Sequence, residues 1–77
     1  MRVVVMAYGD LRRHLLGGDP ERSVELSASA TLADLVHTLG ASPDEAVLAR
    51  RGQDVLREES RLAEGDRVEL FAPVGGG

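Results

Sequence analysis

Three stretches of the chain have the residue pattern of β-strands: one is a continuous apolar run, and in the other two hydrophobic and polar residues alternate with a period of two. The stretches are residues 3–8, 22–26 and 67–71. In the first, both faces carry apolar side chains, which indicates a central strand or a strand that offers one face to a partner. In the other two, polar side chains alternate with the apolar ones. The pattern therefore predicts three strands.

A helical period replaces the alternation in the middle of the chain. Thr31 is a favourable N-cap, and Asp34 three residues later completes a capping box. Gly40 can end the helix in a left-handed conformation. Apolar residues recur with the spacing i, i+3, i+4, i+7 at Leu32, Leu35, Val36 and Leu39. This stretch predicts the main helix.

The remaining segments are shorter. Residues 11–16 are compatible with either a helical turn or a wide loop. Residues 46–49 predict a short apolar strand that ends at a turn at 51–52, and the pattern leaves open which of its faces is buried. Residues 55–56 are compatible with a further short strand. A tight turn at 64–66 precedes the last strand.

The order of these elements predicts an α+β fold with a mixed sheet of four to five strands and one main helix packed on one face. With the last strand beside the first, this is the ubiquitin-like β-grasp. A chain of 77 residues forms one domain, which we place at residues 1–71. We expect residues 72–77 to form a flexible glycine-rich tail, which would span about 20 Å when extended.

Composition narrows the classes of function. The net charge is −4 with dispersed acids, which argues against nucleic-acid binding, and no stretch resembles a signal peptide or a membrane span. We therefore expect a cytoplasmic protein. The chain has no cysteine, and all nine basic residues are arginine, so it offers neither a thiol nor a lysine amine.

Three segments resemble one known family. They are A-Y-G-D-L-R at residues 7–12, L-A-E-G-D-R-V-E-L at residues 62–70, and F-A-P-V-G-G-G at residues 71–77. They are similar to the F-A-x-L-R-E, L-x-x-G-D-x-V and F-P-P-V-A-G-G segments of the MoaD/ThiS-like ubiquitin-like sulfur carriers. Ala72 and Gly75 differ from the molybdopterin-type end, which leaves the subfamily open.

The resemblance implies a function for the C-terminal residues. A ubiquitin-activating-type adenylating enzyme would use ATP to activate the carboxylate of Gly77, and sulfur transfer would convert it to a thiocarboxylate. Gly75 and Gly76 would fit a narrow channel because they lack Cβ, and Pro73 and Val74 would stiffen the exit from the domain. The chain would be a carrier rather than an enzyme and would bind no cofactor itself. A synthase large subunit or a sulfurtransferase is a further implied partner.

Two other functions stay open. The activated carboxylate could be attacked by lysines of target proteins, which would make the chain a ubiquitin-like modifier. Because the chain has no lysine, such conjugates should be single rather than lysine-linked chains. A plain interaction module with a dispensable tail is the other alternative. The sulfur pathway is also open, among molybdopterin, thiamine, another sulfur product and tRNA thiolation.

A docking surface follows from the alternation of side chains between the two faces of each predicted strand. Val4, Met6 and Phe71 would point to the same open face of two neighbouring strands. Exposed apolar clusters usually mark interfaces, and the family docks through this region. We therefore expect these three residues to form an apolar patch for a partner.

Other candidates have simpler explanations. His14 and His37 lack neighbours at the spacing of metal ligands, so we expect no metal site. The Gly-Gly pair at 17–18 does not lie between a strand and a helix in a phosphate-loop pattern, so it indicates a turn. Arg50 and Arg51 are interpreted as charges beside a turn, with contact to an acidic partner as the alternative.

Overall fold

The computed structural model of the chain describes residues 1–41 and 48–72, and these contain five strands and two helices. In chain order the elements are β1 (Arg2–Ala7), α1 (Asp10–Leu16), β2 (Glu21–Glu25), α2 (Leu32–Thr38), β3 (Leu48–Arg51), β4 (Asp54–Leu56) and β5 (Arg67–Phe71). None of the described helices has the length and apolar character needed to cross a membrane.

The five strands form one mixed sheet in the order β2-β1-β5-β3-β4. β1 pairs antiparallel with β2 and parallel with β5, so the first and last strands lie side by side. β3 pairs antiparallel with both β5 and β4. The α+β class and the β-grasp arrangement predicted from the sequence are confirmed.

One face of the sheet is buried beneath the two helices. Val3, Val5, Val68 and Leu70 of the central strands are fully buried. Their neighbours in sequence point to the other face, as the period-two pattern predicts. The helices complete the same core with Leu11, Leu15, Leu16, Leu32 and Leu35. We call the uncovered side of the sheet the open face.

Helix α2 has the predicted ends. The Thr31 side chain accepts a hydrogen bond from the Asp34 backbone N–H, and the Asp34 carboxylate accepts one from the Thr31 N–H at 2.9 Å. Gly40 has φ 91°. The N–H of Ala41 donates to the Val36 carbonyl oxygen at 3.1 Å, the long bond of a Schellman motif.

The stretch after β1, for which the sequence allowed a helical turn or a wide loop, is a second helix, α1, so the described residues contain two helices of seven residues each. Leu11, Leu15 and Leu16 are buried, which gives α1 one apolar face against the sheet. Gly17 ends the helix at φ 65°, and its N–H donates to the Arg12 carbonyl oxygen. Burial of this face stabilises a helix too short to form alone.

Strand boundaries differ from the sequence pattern by one or two residues. β1 and β2 lie one residue earlier than predicted, and β5 has the predicted bounds. The strand predicted at 46–49 is described as Leu48–Arg51, and its first two predicted residues lie outside the described residues. Arg51 belongs to the strand rather than the turn, because it pairs with Asp54 of β4.

Candidate functional site

The turn before β5 sets the position of the last strand against the first. The Asp66 carboxylate accepts hydrogen bonds from the Ala63 N–H at 2.7 Å and from Arg51 at 2.8 Å. Gly65 has φ 81°, and its N–H donates to the Arg2 carbonyl oxygen at 2.8 Å. The G-D pair of the family-like segment is therefore a structural device that starts β5 parallel to β1.

Along β5 the side chains alternate between the core and the open face. Val68 and Leu70 are fully buried. Arg67, Glu69 and Phe71 point to the open face, and Phe71 is partly buried. Phe71 is the last residue of β5, so it is the point from which residues 72–77 continue. The predicted outward direction of Phe71 is confirmed.

Val4 and Met6 also lie on the open face, and both are partly buried. Val4 lies opposite Arg67 and Met6 lies opposite Glu69 across the β1–β5 pair. Arg67 Nη2 reaches across β1 to Glu21 Oε2 at 3.0 Å and passes 3.8 Å from the Met6 Sδ. Charged side chains therefore lie beside the apolar ones on the open face, and the docking role expected for Val4, Met6 and Phe71 stays a prediction.

Four side chains converge at the end of β5. The Tyr8 and Phe71 rings stack with centroids 5.2 Å apart and planes 16° apart. The Arg50 guanidinium carbon lies 5.3 Å from the centroid of Phe71. Glu69 links Tyr8 to Arg50. Its Oε2 accepts a hydrogen bond from the Tyr8 hydroxyl at 2.7 Å, and its Oε1 accepts one from Arg50 Nη2 at 3.2 Å. We call these four residues the Phe71 cluster.

Sequence reasoning singled out Phe71 but missed the other three members of the Phe71 cluster, which are Tyr8, Arg50 and Glu69. Tyr8 shares the parity of Val4 and Met6, and parity was the signal that could have placed it beside Phe71. Arg50 was interpreted as a charge beside a turn, yet it lies within β3 and its charge is paired inside the chain. Neither residue type is unusual at a strand end, so only the pairing of β1, β5 and β3 brings them together.

The electrostatics of the Phe71 cluster follow from the shared hydrogen bond. The bond to Glu69 raises the pKa of Tyr8 above its ordinary value, with loss of hydration and the negative charge of Glu69 adding to the rise. The same bond is the largest effect on Glu69 and lowers its pKa. Loss of hydration is the next largest effect and opposes it, while the hydrogen bond and the charge of Arg50 each lower the pKa by less. At neutral pH Tyr8 is therefore a hydrogen-bond donor and Glu69 an ionised acceptor.

Three large apolar side chains are exposed among the described residues. Tyr8 is 47% exposed, Leu48 53% and Val55 76%. Leu48 lies opposite Phe71 in the β3–β5 pair, and Val55 lies opposite Arg50 in the β3–β4 pair. The sequence pattern left the parity of β3 open, so it did not indicate Leu48 or Val55. Both extend the apolar part of the open face around the Phe71 cluster.

The C-terminal residues assigned to chemistry follow directly after this surface. Ala72 is exposed and is the last described residue. The roles expected at Pro73, Val74, Gly75, Gly76 and Gly77 fall outside the described residues and stay predictions.

The described residues contain no group of three or more His, Cys, Asp or Glu side chains placed to hold a metal ion. His37 is exposed on α2, and His14 is exposed on α1. Arg51, the other arginine of the pair beside the predicted turn, bonds Asp66 within the domain.

A protein-family model matches most of the chain. The model of the ThiS family matches residues 8–77. Among curated proteins, the chain is 36% identical to the sulfur carrier protein TtuB of Thermus thermophilus over 59 residues. That alignment covers 75% of this chain and 89% of TtuB.

Solved structures share the fold. A putative molybdopterin converting factor, subunit 1, from Pyrococcus furiosus superposes with a TM-score of 0.77 at 23% identity, covering 96% of this chain and 99% of that one. The small archaeal modifier protein 1 of Haloferax volcanii superposes with a TM-score of 0.76 at 20% identity, covering 95% and 98%. At these identities the similarity establishes the fold.

Proposed function

Because the chain belongs to the ThiS family, we propose that it is a ubiquitin-like sulfur carrier that holds sulfur on the carboxylate of Gly77. The observation that carries the proposal is the glycine end itself. It lies inside the range matched by the family model and follows within a few residues of the last strand of the domain. The similarity to the sulfur carrier TtuB supports the same function.

The proposed reaction has two steps, both carried out on a partner enzyme. First, an oxygen of the Gly77 carboxylate attacks the α-phosphorus of ATP, pyrophosphate leaves, and an acyl-adenylate forms. A sulfur nucleophile then attacks the acyl carbon, so that a C–S bond forms as the C–O bond to AMP breaks. The first step is needed because a free carboxylate has no good leaving group. The chain is the substrate and carrier in this scheme.

The composition of the chain suits an activated C-terminus. An acyl-adenylate reacts with thiols and amines, and the chain contains no cysteine and no lysine. A lysine amine or a cysteine thiol of a second copy therefore cannot consume the activated form. We attribute the absence of lysine chiefly to genome composition, but the chemical consequence is the same.

The open face beside the glycine end is the surface on which we place the adenylating enzyme. Val4, Met6 and Phe71 are partly buried there, and Leu48 adds an exposed apolar side chain next to Phe71. A partner docked on this surface would lie close to the start of residues 72–77. A synthase large subunit or a sulfurtransferase would use the same end of the chain in later steps.

Conjugation to proteins is the second candidate function, favoured by the shared fold with the Haloferax volcanii modifier protein. The same acyl-adenylate or thiocarboxylate would be attacked by a lysine amine of a target instead of a sulfur donor. The bond formed would be an isopeptide to Gly77, and each target lysine would carry a single copy.

Intact mass spectrometry of the protein from its own host separates these functions. A sulfur carrier should show a species heavier by about 16 Da, because sulfur replaces one oxygen. Adducts of much higher mass that survive reduction would indicate conjugation. The matched control is a chain that lacks Gly76 and Gly77, which should show neither species. If the full chain, like the shortened chain, showed neither the heavier species nor the adducts, both functions would be excluded.

A further inference from the structure

Three arginine–carboxylate pairs link strands across the described part of the open face. They are Arg2–Glu25 at 2.9 Å, Arg67–Glu21 at 3.0 Å and Arg50–Glu69 at 3.2 Å. Among the described residues, only Arg50 also lies over an aromatic ring. The Arg50–Glu69 pair therefore differs from the other two pairs, because its guanidinium also contacts the ring of Phe71.

The Phe71 cluster is a closed circuit of contacts that connects three strands. Tyr8 follows β1 and stacks on Phe71 of β5, while Arg50 of β3 contacts the same ring. Glu69 closes the circuit, because its two carboxylate oxygens bind the Tyr8 hydroxyl and the Arg50 guanidinium. A rotation of the Phe71 ring would break contacts on both neighbouring strands.

The exposure of the circuit argues against a purely stabilising role. The side chain of Arg50 is 48% exposed and that of Glu69 is 22% exposed. Ion pairs with this exposure contribute little to the stability of a fold. Their main physical effect is to restrict the side-chain rotamers of the groups they join. The Arg50–Glu69 pair holds the Arg50 guanidinium over the ring of Phe71, which is the last residue of β5 and lies immediately before Ala72.

We propose that Tyr8, Arg50 and Glu69 are positioning residues that hold Phe71, and with it the end of β5, in one orientation. The chain then continues past Ala72 from a fixed origin, beside the open face on which we place the adenylating enzyme. This inference rests on the proposed function, since the direction matters when Gly77 must reach ATP. A fixed origin lowers the entropy that the tail loses on docking.

The effect on the chain end can be measured without a partner. Because the chain has no cysteine, an Ala72→Cys variant takes a single nitroxide label, whose motion is read by electron paramagnetic resonance. Adding Arg50→Ala or Tyr8→Ala should make the label more mobile. Arg2→Ala is the matched control, because it breaks a cross-strand ion pair on the same face away from Phe71. Equal mobility in all variants would overturn the proposal.

The effect on the reaction is measured with the adenylating enzyme of the same host, by ATP–pyrophosphate exchange. Arg50→Ala and Tyr8→Ala should lower kcat about tenfold with a smaller change in KM, because the carboxylate is less well aligned. Tyr8→Phe keeps the ring stack but loses the bond to Glu69, so its effect should be smaller. Arg2→Ala should leave both constants unchanged.

The outcomes distinguish positioning from docking and from stability. A higher KM with unchanged kcat would assign the cluster to docking and overturn the proposal. Equal losses in Arg50→Ala and Arg2→Ala would indicate a general effect on the fold and also overturn it. If the unmodified chain supported no exchange, the proposed function would fail, and the nitroxide measurement would still test whether the cluster orders the end of β5.

Discussion

Tyr8 shows how a single side chain reports on the state of the open face. Its hydroxyl donates to Glu69, which favours the protonated phenol and raises the pKa of Tyr8 above its ordinary value of 10.0. Glu69 has its pKa lowered below 4.5 by the same bond, so its ionised form is favoured in the folded chain. At a pH between 4.5 and 10.0 Tyr8 is therefore protonated and Glu69 ionised, and the Phe71 cluster is fully formed.

The sign of the pH dependence follows from these directions. A raised folded-state pKa means that the Tyr8 contribution is present below the unfolded pKa and is lost as pH rises through the folded pKa. A lowered folded-state pKa means that the Glu69 contribution is present above the unfolded pKa and is lost as pH falls through the folded one. The Tyr8 contribution to stability is therefore lost at a pH above 10.0, and the Glu69 contribution is lost at a pH below 4.5.

Replacing Glu69 should shift the titration of Tyr8. We expect Glu69→Ala to bring the pKa of Tyr8 down toward 10.0, because the hydrogen bond and the negative charge that raise it are both removed. The ultraviolet absorbance of the phenolate measures this directly, since the chain has one tyrosine and no tryptophan. Glu25→Ala, on the same face but paired with Arg2, is the control. An unchanged Tyr8 titration in Glu69→Ala would refute the bond.

The helices show which local signals a sequence carries on its own. For α2, the cap residues and the apolar stripe all lie within ten residues, so the sequence predicts its start and its end. For α1, Leu11, Leu15 and Leu16 make only one turn of an apolar face. Whether seven residues form a helix depends on burial against β1, which the sequence does not display.

The sheet shows the same division between local and long-range information. The apolar run of residues 3–8 predicts β1, and alternation predicts β2 and β5 together with the buried face of each. It does not reveal that Arg67 reaches Glu21 over β1, or that Arg50 and Tyr8 meet at Phe71, because these contacts join separate strands. The candidate site was therefore predictable as a location beside the glycine end, but not as a set of contacts.

Gly40 at the end of α2 provides a test of the predicted cap. Its φ of 91° lies in the left-handed region, while a Cβ added there would meet no atom within 4 Å. Gly40→Ala should therefore lower the free energy of unfolding by about 1 kcal/mol through backbone strain alone. Urea denaturation measures the loss.

Gly40→Asn is the matched variant, because asparagine tolerates the left-handed conformation better than alanine does. It should be less destabilising than Gly40→Ala although its side chain is larger. If the loss instead increased with side-chain size, steric contact rather than backbone conformation would explain the glycine.

In the molecule as a whole, the residues that stabilise the fold and the residues assigned to the proposed function lie on opposite faces of the sheet. The helices and the buried face of the sheet form one core, and the open face contributes little to it. The residues assigned to docking and positioning lie on that open face or follow it in sequence. Substitutions of those docking and positioning residues should therefore alter the interaction with the partner while changing stability little.

Phe71→Ala is the direct test of docking at this scale. Phe71 is only partly buried, so the variant should unfold at nearly the same temperature as the parent. A central aromatic side chain at an interface commonly contributes more than 1 kcal/mol, so affinity for the adenylating enzyme should fall about tenfold. Calorimetric titration measures this affinity.

The control for Phe71→Ala is His37→Ala, because His37 is exposed on α2, on the side of the sheet away from the open face. The control should bind as the parent does if docking is confined to the open face. Equal affinity of Phe71→Ala and the parent, with both chains folded, would exclude Phe71 from the interface. If both variants bound equally weakly, docking would not be confined to the end of β5, because His37 and Phe71 lie on opposite sides of the sheet.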